Sequence, residues 1–262
     1  MTDLARTRDA LLQSYDAIEA LCARMDAQQW QVQSLCPDWT VRDVVKHLAM
    51  MERVMAGWLP DDSEELPDFA RVGSFDPEAD SLADADFARL VTETFAVRRG
   101  DLAKLTQEDM DRPSWTPVGV KTFGRFLEIR VFDFWVHERD ITTPLGWPTD
   151  DTGPRAEISL AEVTGSLGYI VGKRIGLPDG ASIVFHLTGP VSRDLAVVVD
   201  GRAKMVAGLA SPDVEVTTDF LTFMQLACGR IDPQAQIEAG KVTWKGNGEF
   251  GDRAARNLRF TM

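Results

Sequence analysis

The segment from about residue 122 to 142 is the feature that most constrains the fold of this chain. It is rich in aromatic and branched residues that would surround a helix with apolar groups, as in a helix packed on most of its sides. One polar stripe interrupts this pattern, with residues at spacings of three, four and three: Arg130, Asp133, His137 and Asp140. Because buried charges are costly without partners, the stripe predicts either a metal site or a salt-bridge network.

Histidine is scarce in this sequence, and two of its three histidines fall within predicted helices. Asp133 and His137 are four residues apart, so they lie above one another on one helical face. His47, at the edge of an apolar stripe on another predicted helix, would complete a set of two imidazoles and one carboxylate. Such a set leaves coordination positions open, as catalytic zinc sites do. An aspartate and a histidine at this spacing also form ordinary ion pairs, so both interpretations stay open.

Charge and cysteine content exclude several classes of partner. The net charge of −13 argues against binding to nucleic acids or to an anionic membrane, since both demand a basic surface. No stretch reaches the apolar length of a membrane span, and the first residues lack the apolar core of a signal peptide. The three cysteines include no CxxC pair, so neither a disulfide framework nor a cysteine zinc site is indicated. We therefore expect a cytoplasmic protein.

Hydrophobic periodicity predicts a helical first half. Asp3 lies near the start of the first predicted helix, and Thr40 stands where an N-cap would begin the second. An acidic segment from Pro60 to about Asp84 predicts a long loop. The predicted helices span residues 3–24, about 41–58, about 84–106 and about 122–142.

The periodicity changes after a glycine- and proline-rich break at residues 146–154. A further helix over about 155–175 is followed by short strands and helices, including the hairpin signal Asp200-Gly201. The predicted strands are 183–187, 195–199, 204–206, 214–217 and 241–245, and the helices are 220–227, 233–240 and 249–258. The sequence thus predicts a multi-domain chain, with a domain of four helices over residues 1–150 and a small α+β domain over residues 155–262.

Two other motifs are interpreted as structural. The stretch Gly246 to Gly251 matches G-x-G-x-x-G, but too little chain follows it for a dinucleotide-binding unit, so it is a turn. Cys36 has no cationic neighbour in sequence, which favours a half-buried structural cysteine over a reactive thiol.

Several segments carry a resemblance to a known family. The first is LCPDWTVRDVVKHL from Leu35 to Leu48, and the second is RVFDFWVHERDI from Arg130 to Ile141. Both resemble motifs of the mycothiol-dependent maleylpyruvate isomerase family, which belongs to the wider DinB-like four-helix-bundle superfamily. The stretches 229–233, 240–242 and 246–248 resemble the sterol-carrier-protein-2-like (SCP2-like) domain often fused behind that bundle.

This resemblance implies a fold and a ligand set. The fold would be a DinB-like four-helix bundle followed by a small SCP2-like α+β domain. His47 and His137 match the two metal-binding histidines of the family, and Asp133 stands where the isomerase has glutamate. Asp38 stands where the motif has glycine. The family also uses an arginine from its C-terminal domain, for which Arg202 and Arg230 are the candidates.

The resemblance also implies an activity. A divalent metal, zinc as the first choice, would activate a low-molecular-weight thiol such as mycothiol. The thiol would serve the isomerisation of, or S-transfer to, a small electrophilic substrate, and Arg130 could bind a substrate carboxylate or form a salt bridge to Asp133 or Asp140. A small-molecule or lipid carrier with a vestigial metal site and a metal-dependent hydrolase stay open as alternatives. We expect a monomer or a weak homodimer.

Overall fold

The computed structural model describes residues 2–59 and 77–261. The chain divides into two compact units, Met1–Thr149 and Asp150–Met262. The loop predicted from Pro60 to about Asp84 lies partly outside the described residues, and its C-terminal part is wrong, since Pro77–Ser81 form a short helix. Among the helices of the described ranges, none has the length and hydropathy needed to cross a membrane.

The first unit is mainly helical, in agreement with the sequence pattern. Its helices are α1 Leu4–Arg24, α2 Ala27–Trp30, α3 Val41–Val54, α4 Pro77–Ser81, α5 Asp84–Leu102 and α6 Phe123–Leu145. A 3-10 turn at Glu108–Asp111 leads into a small hairpin, in which β1 (Pro113–Ser114) pairs with β2 (Lys121–Thr122). The pattern does not predict α2 or this hairpin, because elements of so few residues show no usable periodicity.

Side-chain caps explain where the long helices begin. Asp3 caps α1 and Thr122 caps α6, each accepting a hydrogen bond from the backbone N–H three residues further on. Thr40 and Asp43 form a capping box at the start of α3, so the predicted N-cap at Thr40 is confirmed. At its other end, α6 stops at Gly146, whose φ of 66° lies in the left-handed region.

The four long helices pack against one another around an aromatic core. Helices α1 and α3 both pack against α5 and α6. Tyr15 of α1 stacks on Phe95 of α5 with 4.6 Å between ring centroids, and Phe134 of α6 meets both rings edge-on. This packing holds α3 beside α6, which is what allows side chains from the two predicted motifs to meet.

The second unit combines helices with one sheet, as the sequence pattern predicts. The helices are α7 Gly153–Gly165, α8 Leu167–Tyr169, α9 Phe220–Ala227, α10 Pro233–Glu238 and α11 Gly248–Arg256. The strands are β3 Ser182–Thr188, β4 Arg193–Asp200, β5 Arg202–Val206, β6 Val214–Asp219 and β7 Val242–Gly246. Their order in the sheet is β5-β4-β3-β6-β7, with β3 and β6 parallel and the other neighbours antiparallel.

The helix predicted over 155–175 is not continuous. It is interrupted at Ser166 and resumes as α8, which continues as a π-helix over Ile170–Ile175. Gly165, Gly168 and Gly172 lower the helix propensity of this stretch. Gly168 also lies against the backbone of β5, where a Cβ atom would be 2.8 Å from the carbonyl oxygen of Ala203. Close packing on the sheet therefore accounts for a glycine that the helix itself disfavours.

The glycines of the G-x-G-x-x-G stretch serve a turn and a packing contact. Gly246 has a φ of 86°, and Asn247 caps α11. Gly251 faces the indole of Trp244 so closely that any side chain there would clash. The stretch is therefore a tight connection from β7 to α11, and its residues from Gly248 onward already belong to the helix, which the interpretation as a turn does not predict.

Candidate metal centre

Three side chains from α3 and α6 converge on one point in the first unit. Nε2 of His47 lies 3.5 Å from Oδ2 of Asp133, and Nε2 of His137 lies 3.4 Å from Oδ1 of the same carboxylate. The two imidazole rings are 5.0 Å apart between centroids and roughly perpendicular. The structure thus brings together the three residues proposed as ligands from the sequence.

The arrangement fits the coordination sphere of a small divalent ion. One potential ligand atom from each residue lies within 4.8 Å of the other two. Two ligands held at about 2.1 Å from a tetrahedral zinc ion would lie about 3.4 Å apart, which matches the imidazole-to-carboxylate distances. The side chains of His47 and Asp133 are about one quarter exposed, so further ligands can reach this point from one side.

Opposite charges surround the central carboxylate. Burial alone would raise the pKa of Asp133, but the charges of Arg130 and His137 hold that pKa well below its ordinary value. Burial likewise opposes the charged form of His137, yet Asp133 and Asp140 raise the pKa of this imidazole well above its ordinary value. In the metal-free protein these neighbours therefore favour the ionised form of Asp133 and the protonated form of His137.

The second ring nitrogen of His137 is held by Asp140. Its Nδ1 lies 2.9 Å from Oδ2 of Asp140, a fully buried carboxylate that also accepts a hydrogen bond from the Cys36 thiol at 3.0 Å. A carboxylate at Nδ1 keeps a proton on that atom and leaves Nε2 to face Asp133. Many metal-binding histidines are oriented in this way.

Cys36, His137 and Asp140 form a second group of potential ligands. All three residues are buried, and the Cys36 thiol is already engaged with Asp140. The group therefore offers no open side for a substrate, in contrast to the set that contains His47 and Asp133, whose side chains are about one quarter exposed. Cys36 is buried, but the structure also places its thiol 3.7 Å from Nδ1 of His137, a neighbour that the sequence does not show, so its structural role stays a prediction.

The loop before α3 forms a wall of the site. The ring centroid of Trp39 lies 5.3 Å from that of His47 and 6.2 Å from that of His137. The amide nitrogen of Gln33 fixes this loop by donating to the backbone carbonyls of Cys36 and Trp39. Trp39 therefore restricts access to both imidazoles from this direction.

Arg130 links the site to a buried carboxylate that the sequence pattern does not single out. Its guanidinium bonds Asp133 at one end and Glu52 at the other, so the predicted salt bridge to Asp133 is confirmed. Glu52 also bonds Tyr15 and Arg98. A sequence signal for Glu52 exists, because it lies four residues after Leu48, on the apolar side of its helix.

The candidate arginines of the second unit lie at different places. Arg202 begins β5 with an exposed side chain. Arg230 follows α9, and its Nη1 donates to the carbonyl oxygen of Cys228 at 3.0 Å. The assignment of either to catalysis stays a prediction.

Comparison with solved structures gives the same fold over nearly the whole chain. Two crystal structures of the mycothiol-dependent maleylpyruvate isomerase, one of them of a histidine-to-alanine mutant, match with a TM-score of 0.62. Each match has 16% identity and covers 93% of this chain and 93% of that chain. Sterol Carrier Protein 2 from Yarrowia lipolytica, in its apo form, matches at 20% identity over 39% of this chain and 93% of its own, but its TM-score of 0.29 carries no argument.

Family models identify the family of the chain, which the structural matches alone do not. Residues 11–142 match the mycothiol maleylpyruvate isomerase N-terminal domain, and residues 157–245 match the MDMPI C-terminal domain. No curated protein matches the chain. The first of these models alone spans 132 of the 262 residues, and the two follow one another in the order found along this sequence. The chain belongs to the mycothiol maleylpyruvate isomerase family.

Proposed function

We propose that this protein is a metal-dependent enzyme that uses a low-molecular-weight thiol, such as mycothiol, on a small electrophilic substrate. The reaction would be an isomerisation, with S-transfer to the substrate as the related outcome. Family membership supports this proposal, as does the shared fold with a protein described as a mycothiol-dependent maleylpyruvate isomerase. The divalent ion, zinc as the first choice, would be held by His47, Asp133 and His137.

The observation that carries the proposal is the donor set itself. Two imidazoles and one carboxylate face one another across 3.4–3.5 Å, with one side of the group open. Three protein ligands with an open position are the pattern of catalytic zinc sites, whereas structural sites are closed by four. An ion bound there would supply Lewis acidity and lower the pKa of a coordinated thiol.

The chain's own residues prepare this site in distinct ways. Asp140 keeps the proton of His137 on Nδ1, so that Nε2 is the atom presented to a ligand. Arg130 holds the carboxylate of Asp133 in place. The indole of Trp39 excludes water from one side of the imidazoles.

The sequence leaves two roles open for Arg130, the binding of a substrate carboxylate and a salt bridge to Asp133 or Asp140. The side chain of Arg130 is only 4% exposed, and it bonds both Glu52 and Asp133. We therefore propose that Arg130 acts on the site through Asp133, with its direct contact to substrate as the second possibility.

Several broader features belong to the same proposal. The packing of the four long helices supports a DinB-like four-helix bundle over residues 1–150. The sequence motifs of the C-terminal part support an SCP2-like domain over residues 155–262. We also propose a cytoplasmic protein that is a monomer or a weak homodimer.

Calorimetric titration tests the proposal in two steps. Metal-free protein is titrated with zinc, and the zinc-loaded protein is then titrated with mycothiol and assayed with maleylpyruvate. We expect zinc binding, zinc-dependent binding of mycothiol and isomerisation. Zinc binding without thiol binding would favour a hydrolase, and the absence of both would favour a carrier.

Matched variants test the ligand assignment. His47→Ala and His137→Ala should each abolish stoichiometric zinc binding, measured by elemental analysis after dialysis. His186→Ala is the control, because His186 lies in β3 of the second unit and pairs with Asp194. If both ligand variants retain zinc as the wild type does, the assignment is wrong.

A further inference from the structure

Glu52 is a fully buried carboxylate in the middle of the first unit. It lies on α3, five residues after His47, and its side chain is 0% exposed. A carboxylate in such a place is strongly destabilising unless charges and hydrogen bonds compensate it. The partners of Glu52 therefore explain how its buried charge is compensated.

Each partner of Glu52 comes from a different helix. The hydroxyl of Tyr15 on α1 donates to Oε2 at 2.7 Å, and Nε of Arg98 on α5 donates to the same oxygen at 2.9 Å. The other oxygen, Oε1, accepts two hydrogen bonds from Arg130 on α6, from Nε at 3.1 Å and from Nη2 at 3.0 Å. One carboxylate oxygen thus joins α1 and α5, while the other is reserved for Arg130.

Because Glu52 fixes the guanidinium of Arg130, it also fixes the group that holds Asp133. A guanidinium is planar and rigid, so fixing its Nε and Nη2 edge also fixes where Nη1 lies. Nη1 of Arg130 donates to Oδ2 of Asp133, the oxygen that also faces Nε2 of His47. Displacement of Arg130 would let this carboxylate rotate away from the imidazoles.

We propose that Glu52 is a positioning residue for the metal centre, which it controls through Arg130 and Asp133. This inference rests on the proposed ligand set of His47, Asp133 and His137. It assigns to Glu52 a function beyond stabilising the helices: the buried carboxylate orients a ligand from which it is separated by one guanidinium.

The experiment compares two substitutions that act on opposite oxygens of Glu52. Glu52→Gln keeps the shape of the side chain and removes the charge that holds Arg130. Tyr15→Phe removes the hydrogen bond to Oε2 and leaves the Oε1 side intact. Folding of both variants is checked by circular dichroism and urea denaturation, and zinc affinity is measured by competition with a chromophoric chelator. The Co²⁺-substituted proteins add a visible absorption spectrum that reports ligand geometry directly.

We expect Glu52→Gln to weaken zinc binding by about 10–100-fold, the range typical for loss of a group that orients a metal ligand, and to change the Co²⁺ spectrum. Tyr15→Phe should lower stability while leaving zinc affinity and the Co²⁺ spectrum unchanged. If Glu52→Gln weakens zinc binding no more than Tyr15→Phe does, Glu52 is only structural and the proposal is overturned.

Two further variants keep the result decisive. Where Glu52→Gln does not fold, Glu52→Asp retains the charge but withdraws the carboxylate from Arg130, and the same loss of zinc affinity is expected. His47→Ala, measured in parallel, separates the two proposals. A wild-type zinc affinity in His47→Ala would refute the ligand set itself, whereas its loss combined with an unaffected Glu52→Gln would refute only the role of Glu52.

Discussion

His137 and Asp140 lie one helical turn apart on α6, with Nδ1 of the imidazole 2.9 Å from Oδ2 of the carboxylate. The carboxylate is fully buried, and the histidine side chain is one-tenth exposed. Asp140 thus fixes the orientation of the proposed ligand His137 without lying in the open part of the site. The proposed site can therefore be tested by substituting Asp140, which is not itself a proposed ligand.

Asp140→Asn should weaken zinc binding by about 10–100-fold, because an amide does not support the charge on His137 or specify its tautomer as a carboxylate does. Competition with a chromophoric chelator measures the affinity. Cys36→Ser is the matched control, since a serine hydroxyl can still donate to Asp140 in place of the thiol. Equal zinc affinities of Asp140→Asn and the wild type would contradict the orienting role.

Zinc affinity should rise with pH throughout the range below the folded-state pKa of His137, because a protonated imidazole nitrogen cannot bind an ion. The pKa of His137 in the metal-free site is raised above its ordinary value, so this imidazole must release its proton before Nε2 can bind an ion. The increase should approach about tenfold per pH unit for one released proton and end above the folded-state pKa of His137. Calorimetry in buffers of different ionisation enthalpy counts the released protons, and zinc binding without proton release at pH 7 would count against a protonated His137.

The stability of the metal-free protein should depend on pH in two opposite ways. The lowered pKa of Asp133 means that its stabilisation is present above about 3.9, the unfolded value, and is lost as the pH falls through the folded value. The raised pKa of His137 means that its stabilisation is complete below about 6.5 and is lost as the pH rises through the folded value.

Urea denaturation of the metal-free protein across this range separates the two contributions. Asp133→Asn should reduce the loss of unfolding free energy on the acid side, and His137→Ala should reduce the loss on the alkaline side. If the unfolding free energy of His137→Ala falls at alkaline pH as much as that of the wild type, the alkaline loss comes from another group.

Local sequence patterns predict much of this fold because the relevant physics is local. Caps such as Asp3 and Thr40 lie next to the helices they begin, and the hairpin at Asp200-Gly201 needs only its own strands. The convergence of Asp133 and His137 follows in the same way from the spacing of one helical turn. These features do not depend on how distant parts of the chain pack.

The environment of Glu52 could not be predicted in this way. Its partners lie 37, 46 and 78 residues away along the chain, so only the packing of four helices determines which of them it meets. The sequence offers a weaker sign, an acidic residue in line with Val45 and Leu48 on the apolar face of α3. That sign predicts a buried carboxylate, but it does not identify Arg130 as the partner.

Asp38 offers a test of backbone strain next to the site. Its φ of 63° makes it the single non-glycine residue with positive φ among residues 2–59 and 77–261. A left-handed conformation costs an L-residue roughly 1–2 kcal/mol, whereas the added freedom of glycine stabilises the unfolded chain by roughly 0.4–1 kcal/mol. Relief of strain therefore equals or outweighs the entropy term, and Asp38→Gly should raise the free energy of unfolding by at most about 1.6 kcal/mol. Asp38→Ala is the informative comparison, because alanine has neither the freedom of glycine nor a side chain that can hydrogen-bond locally, so it should be less stable than the wild type. Urea denaturation with matched m-values measures all three proteins, and an order in which the alanine variant is more stable than the glycine variant would contradict a strained Asp38.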